Sequence, residues 1–102
     1  MSGDNLTALI VALVPAIVNV ITALVQAKTT RRNSAKQSIL QEIMEDQFAW
    51  HADKKLPVNY ENILNEYDIY HKAGGNGVIT RKVQDYEVWK DDIEKLAKKL
   101  VK

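Results

Sequence analysis

The sequence predicts an all-α protein: an N-terminal transmembrane helix followed by a small cytoplasmic helical domain that contains an antiparallel helical hairpin. The chain has 102 residues, enough for one small domain. No charged residue lies between Asn5 and Ala27, and every Lys and Arg lies at or beyond Lys28. After that point, apolar residues recur at helical spacing on both sides of a glycine-rich segment.

The segment over residues 6–25 has the length and composition of a membrane span. All but four of its residues are Ala, Val, Ile or Leu, and a helix rising about 1.5 Å per residue crosses roughly 30 Å of hydrocarbon in that length. A buried helix of a soluble protein is the first alternative, but the rest of the chain is short for covering such a helix on all sides. A cleaved signal peptide is the second, but the leader before the run lacks Lys and Arg. We predict a retained transmembrane helix over 6–27, after a short extracytoplasmic N-terminus, 1–5.

The charges beside the predicted span set its orientation. Asp4 precedes it, and four cations follow it closely: Lys28, Arg31, Arg32 and Lys36. The positive-inside rule therefore predicts a single-pass protein of the cell membrane with its N-terminus outside and its C-terminus in the cytoplasm. We expect the four cations to form a basic juxtamembrane segment, 28–36, that contacts lipid headgroups. The lipid bilayer is thus a predicted partner, whereas a net charge of +1 predicts no nucleic-acid partner.

Small or polar residues follow one face of the predicted span: Ala8, Ala12, Ala16, Asn19 and Ala23. In lipid, small residues let helix backbones approach closely, and an Asn amide favours a partner on a neighbouring helix. This pattern predicts a homo-oligomer formed through the span. The alternative is that Ala and an occasional Asn are ordinary in membrane helices, in which case the helix only anchors the chain.

The remaining chain, 37–102, is predicted to form the cytoplasmic helical domain. An amphipathic helix is expected from Ala35 to about Asp53, and Asn33 with Ser34 supplies either its N-cap or a break after the span. Leu56 and Pro57 end this helix.

Two further helices complete the predicted domain as an antiparallel hairpin. Asn59 is expected to cap the first, and Thr80 the second. The predicted turn between them consists of Gly74, Gly75, Asn76 and Gly77, because such a run supplies left-handed backbone conformations.

Residues that resemble catalytic or metal-binding motifs do not complete one. The chain has no Cys and only two His, and no Ser/His/Asp arrangement occurs at a usable spacing. An EF-hand alignment on Gly77 places Lys72, Gly74 and Val83 at calcium-ligand positions, which cannot supply the acidic oxygens. The glycine run also lacks the Walker spacing of a phosphate-binding loop. We predict a protein that is not an enzyme, with no catalytic, cofactor-binding or metal site.

About a third of the chain resembles small helical proteins encoded by phages and prophages of Gram-positive bacteria. The similarity covers 56–60 (LPVNY), 66–77 (EYDIYHKAGGNG) and 83–86 (VQDY). Some small membrane proteins of this type lie near lysis genes and are considered holins or holin-like. The resemblance therefore implies a single-pass, holin-like protein that oligomerises in the membrane, and it brings no catalytic residue.

Two other functions compete with the holin-like one. In the first, the span only tethers a protein-interaction module, whose candidate contact residues are Phe48, Trp50 and Tyr60. In the second, the chain is a virion structural component whose N-terminal helix is buried among copies and needs no lipid.

Overall fold

The computed structural model describes residues 3–100, except for the side chains of residues 3–6, Leu9 and Ala12. This part of the chain forms three helices and no strand: α1 (Gly3–Asp53), α2 (Tyr60–Lys72) and α3 (Gly77–Leu100). The predicted all-α class is therefore confirmed, with a long apolar N-terminal helix. The chain divides into two compact units, Met1–Thr30 and Arg31–Lys102, which we describe separately.

The first unit is the apolar half of α1. Every side chain described between Thr7 and Lys28 is exposed, and Pro15 lies within the helix.

The predicted separate helix start at Asn33 and Ser34 is wrong, because α1 continues through both residues. The reason is that 28–38 contains no Gly or Pro to stop a helix, so two residues of modest helix propensity remain within it.

The second unit is built on one helical face of α1 packed with α2 and α3. The buried residues of this face recur every three or four positions: Ala35, Ile39, Ile43, Asp46 and Trp50. The first three share a core with residues of α2 and α3, namely Ile63, Tyr70, Ile79, Val83 and Tyr86. The amphipathic pattern predicted for all three segments thus faces a common core.

The antiparallel pairing of α2 and α3 follows from their cross-helix contacts. Tyr67 near the end of α2 and Thr80 near the start of α3 share a hydroxyl–hydroxyl hydrogen bond of 2.6 Å. At the other end, the rings of Tyr60 and Tyr86 stack with centroids 6.3 Å apart. The predicted helical hairpin is therefore observed.

The turn between α2 and α3 uses Gly74, Gly75 and Asn76 of the predicted run, but α3 begins at Gly77, four residues earlier than an N-cap at Thr80 predicts. Gly74 adopts a left-handed conformation with φ 83°. The Gly75 N–H donates to the Tyr70 carbonyl at 2.9 Å, and the Gly74 N–H to that of His71 at 3.0 Å, which is the Schellman pattern. Asn76 Oδ1 then accepts the Val78 N–H at 3.1 Å and caps α3.

Thr80 therefore lies inside α3 rather than at its N-cap. Asn59 precedes α2 as predicted, yet its side chain makes no capping hydrogen bond. Its Nδ2 donates instead to the Glu42 carbonyl oxygen at 3.1 Å. The side chains of both predicted N-caps, Asn59 and Thr80, therefore hydrogen-bond to a neighbouring helix instead of capping their own.

Candidate functional site

The predicted helix-association residues lie in the exposed first unit. Ala8, Ala16, Asn19 and Ala23 are all exposed, and the Ala12 side chain lies outside the described residues. On an α-helix of 100° per residue these positions fall within one face. The surface that could associate with another helix is therefore open in a single chain.

The surrounding side chains of this unit are apolar and equally open. Eight Ile, Leu and Val residues between Ile10 and Ile21 are 50–64 % exposed. Of the described helices, α1 alone has the length and apolar composition for crossing a membrane, and none of its qualifying window, within Leu13–Asp53, is buried. Water is an unfavourable environment for so much apolar surface, so this unit requires a covering of lipid or protein.

Of the predicted basic juxtamembrane residues, Lys28, Arg31 and Lys36 are exposed and Arg32 is half-buried. Arg32 and Lys36 line a surface cavity of about 310 Å³, and Lys28 and Arg31 do not. The other lining residues are Asn33, Tyr70, Gly74 and Asn76. Two cations of the basic juxtamembrane segment and two residues of the predicted turn therefore line the same cavity.

The hydroxyl of Tyr70 fixes one wall of this cavity. It donates to Asn76 Oδ1 at 3.1 Å and accepts the Asn76 backbone N–H at 3.0 Å. Since Asn76 Oδ1 also accepts the Val78 N–H, the amide NH₂ of Asn76 is left without a hydrogen-bond partner among the described residues. The Asn76 side chain therefore offers the cavity only hydrogen-bond donors, because its Oδ1 already accepts two hydrogen bonds.

The candidate interaction residues have different environments. Phe48 is 74 % exposed, but Trp50 is buried, and Lys54 Nζ lies 5.2 Å from the centroid of its ring. Tyr60 is half-buried against the core, with Lys90 Nζ 4.6 Å from its ring centroid. The three residues therefore do not form one exposed patch, because two of them pack within the second unit.

Exposed apolar surface on α1 instead includes Met44, which is 68 % exposed and one helical turn before Phe48. Met44 lines a cavity of about 460 Å³ with Leu40, Gln47 and residues of α3. Met44 and Phe48 thus provide exposed apolar surface on α1 that an apolar partner could contact.

Asp46 is a buried polar residue that the sequence analysis missed. Its carboxylate accepts the Val58 and Asn59 N–H groups at 3.1 Å each, and the Tyr86 hydroxyl at 2.5 Å. Burial, with the hydrogen bond to Asp46, raises the pKa of Tyr86 well above its ordinary value. Asp46 therefore holds the α1–α2 connection against α3. Its only sequence signal is its place on the Ile39, Ile43, Trp50 face.

Three carboxylates act on Glu42: Glu45 and Asp46 of α1 and Glu66 of α2. Burial, followed by the charges of Glu66, Glu45 and Asp46, raises the pKa of Glu42. Even so, no group of three or more His, Asp or Glu residues in the described part of the chain has the arrangement of a metal site.

No family model, curated protein or solved structure matches the chain.

Proposed function

We propose that this protein is a non-enzymatic, single-pass membrane protein of phage or prophage type, in which α1 crosses the cell membrane and self-associates as a holin-like oligomer. The observation that supports it most directly is the uncharged apolar run of α1, in which every described side chain from Thr7 to Ala27 is exposed. Lipid would cover its Val, Ile and Leu side chains, and a second copy would cover the Ala8, Ala16 and Asn19 stripe. The helical second unit would then lie in the cytoplasm.

The first experiment tests the anchor. The full chain is expressed, and membranes are washed with carbonate and then with detergent. We expect release by detergent alone, because an uncharged helix spanning the bilayer is not held by surface charge. Release by carbonate would discard the span and favour a virion or other soluble assembly.

The second experiment tests association through the stripe with a matched pair of variants. Asn19→Leu removes the amide from the stripe, and Ile17→Leu changes a residue about 160° around the helix. Loss of an interhelical amide contact worth about 0.6–2 kcal/mol should weaken association roughly 3- to 30-fold. We expect Asn19→Leu to shorten the crosslinked ladder and reduce leakage from dye-loaded vesicles, with Ile17→Leu unchanged. Equal ladders and leakage in both variants would reject the holin-like oligomer.

The tethered interaction module is the second candidate function, supported by the exposed Met44 and Phe48. Under this alternative α1 only anchors the chain, and the α1–α3 surface binds another protein. Double substitution of Met44 and Phe48 by Gln then abolishes partner binding. The same substitutions leave the crosslinked ladder and vesicle leakage intact under the holin-like function.

A further inference from the structure

We infer that the cavity lined by Arg32, Lys36 and Asn76 binds the phosphate group of an anionic phospholipid headgroup. This inference rests on the proposed membrane anchor and names the lipid chemistry that the second unit recognises. The cavity volume of about 310 Å³ is at the lower end of the range for small-ligand sites, about 300–1,000 Å³. It therefore has space for a phosphate-bearing headgroup.

The charge of the cavity is uniformly positive. Arg32 and Lys36 form no ion pair within the described residues, and no carboxylate is among the residues lining the cavity. A neighbouring cavity shows the contrast, because Asp85 lines it together with Arg81 and Lys82. An anion entering the first cavity meets two cations without an internal competitor.

Neutral hydrogen-bond donors complete the site. Within the described residues the Asn76 NH₂ group makes no hydrogen bond. Tyr70 and Val78 both donate to its Oδ1, and this fixes which end of the amide is the donor. Asn33 also lines the cavity. A guanidinium, an ammonium and amide donors are groups that hydrogen-bond phosphate oxygens.

The position in the sequence favours a lipid over a free anion. Arg32 follows Ala27, the last residue of the uncharged run, by five residues. Even a fully extended chain spans at most about 18 Å over five residues. The cavity is thus restrained to the neighbourhood of the bilayer surface whenever the span is inserted. There, anionic headgroups are concentrated.

The test compares two variants that remove the same charge. Arg32→Gln with Lys36→Gln removes the cavity cations, and Lys28→Gln with Arg31→Gln removes two neighbouring cations that do not line it. The full chain is held in maltoside micelles, which contain no phosphate. Dihexanoyl phosphatidylglycerol, dihexanoyl phosphatidylcholine and inorganic phosphate are titrated separately while the Asn76 and Asn33 side-chain NH₂ signals are followed by NMR.

We expect saturable shifts of both amide signals with the phosphatidylglycerol, and binding at least tenfold weaker with the phosphatidylcholine and with inorganic phosphate. The Arg32/Lys36 variant should lose at least tenfold in affinity for the phosphatidylglycerol, and the Lys28/Arg31 variant less than threefold. Equal losses in the two variants would overturn the inference in favour of general surface attraction. Inorganic phosphate binding as tightly as the lipid would overturn the lipid assignment, and so would the absence of amide shifts.

Carbonate extraction of the same variants separates this inference from the proposed anchor. If the Arg32/Lys36 variant and the unmodified chain both require detergent for release but bind the lipid equally, the cavity assignment fails and the anchor stands. If the unmodified chain is released by carbonate, the proposed anchor itself fails.

Discussion

At the scale of single residues, the hydrogen bond between Tyr86 and Asp46 is the buried polar contact with the most evident effect on stability. Tyr86 is almost fully buried and donates to a carboxylate that also fixes Val58 and Asn59. Ionising this phenol would leave two negative groups in contact in a buried site. The folded chain therefore keeps the Tyr86 proton at a pH where an exposed tyrosine has released it.

This contact predicts a decrease in stability at alkaline pH. The raised pKa of Tyr86 means that, above about pH 10, the unfolded chain binds fewer protons than the folded chain, so the unfolding free energy falls as pH rises. The slope from this group reaches about 1.4 kcal/mol per pH unit. Denaturant unfolding of the detergent-solubilised chain, followed by Trp50 and Trp89 fluorescence, measures it.

Two phenylalanine variants isolate the Tyr86 contribution. Tyr86→Phe should lower stability at neutral pH and flatten the alkaline slope, because the titrating hydroxyl is gone. Tyr60→Phe is the control, since the Tyr60 hydroxyl makes no hydrogen bond within the described residues while its ring stacks on Tyr86. Parallel alkaline curves for the Tyr86→Phe variant and the unmodified chain would contradict the assignment.

At the scale of elements, Gly75 and Gly77 near the α2–α3 turn differ in the space that is available for a side chain. A Cβ added at Gly75 would overlap three ring carbons of Tyr70, whereas one added at Gly77 would meet nothing within 4 Å. Tyr70 is buried and bonded to Asn76, so its ring has little freedom to move away. The close approach of the turn to Tyr70 therefore requires glycine at 75 and not at 77.

The two alanine variants should differ clearly in stability. We expect Gly75→Ala to lower the unfolding free energy by about 1–3 kcal/mol through overpacking. Gly77→Ala should be neutral or stabilise by up to about 1 kcal/mol, because alanine costs less entropy in a helix. The same fluorescence-detected unfolding tests both, and equal destabilisation by the two variants would show that the Tyr70 contact is not the cause.

The helices were predictable from sequence where one strong local signal decided the structure. The spacing of three or four residues predicts one packing face for α3: Val83, Tyr86, Trp89, Ile93, Leu96 and Leu100. Val83, Tyr86 and Ile93 are buried and Trp89 packs against the core, whereas Leu96 and Leu100 near the helix end are exposed. The helix start predicted at Asn33 and Ser34 is wrong because a weak capping preference does not interrupt a helical segment that lacks Gly and Pro. Asp46 was missed because its partners lie 12, 13 and 40 residues away in sequence, which helical periodicity cannot reveal.

The polar cavity was only half predictable for the same reason. Arg32 and Lys36 were chosen as cations near a membrane, and Asn76 as a turn residue, by unrelated local arguments. Their meeting depends on how the α2–α3 turn packs beside α1 within the second unit. Tertiary packing therefore brings the cations of α1 and the turn residue Asn76 to one cavity, and local sequence patterns do not reveal this proximity.

At the scale of the whole molecule, the chain combines an apolar run without charged residues, between Asn5 and Ala27, with a charged helical unit. We propose that the charge asymmetry between the two flanks of this run sets the orientation of the chain in a membrane. No Lys or Arg lies before the run, whereas Lys28, Arg31, Arg32 and Lys36 follow it. Flanking Lys and Arg govern orientation when they lie within about 15–20 residues of a span. We therefore expect a C-terminal fluorescent-protein fusion to be bright and a C-terminal alkaline phosphatase fusion to be inactive.

Shifting two charges across the span should destroy this preference. The variant Asp4→Lys, Asn5→Lys, Lys28→Gln, Arg31→Gln leaves two cations on each side of the run and keeps Arg32 and Lys36 in place. With the bias removed, both orientations should be populated, and the phosphatase fusion should gain activity as fluorescence falls. Lys95→Gln with Lys98→Gln is the control, because it removes two cations that are far from the span in sequence. A fluorescent fusion that stays bright in the four-residue variant would show that orientation is set by folding of the helical unit rather than by the flanking charges.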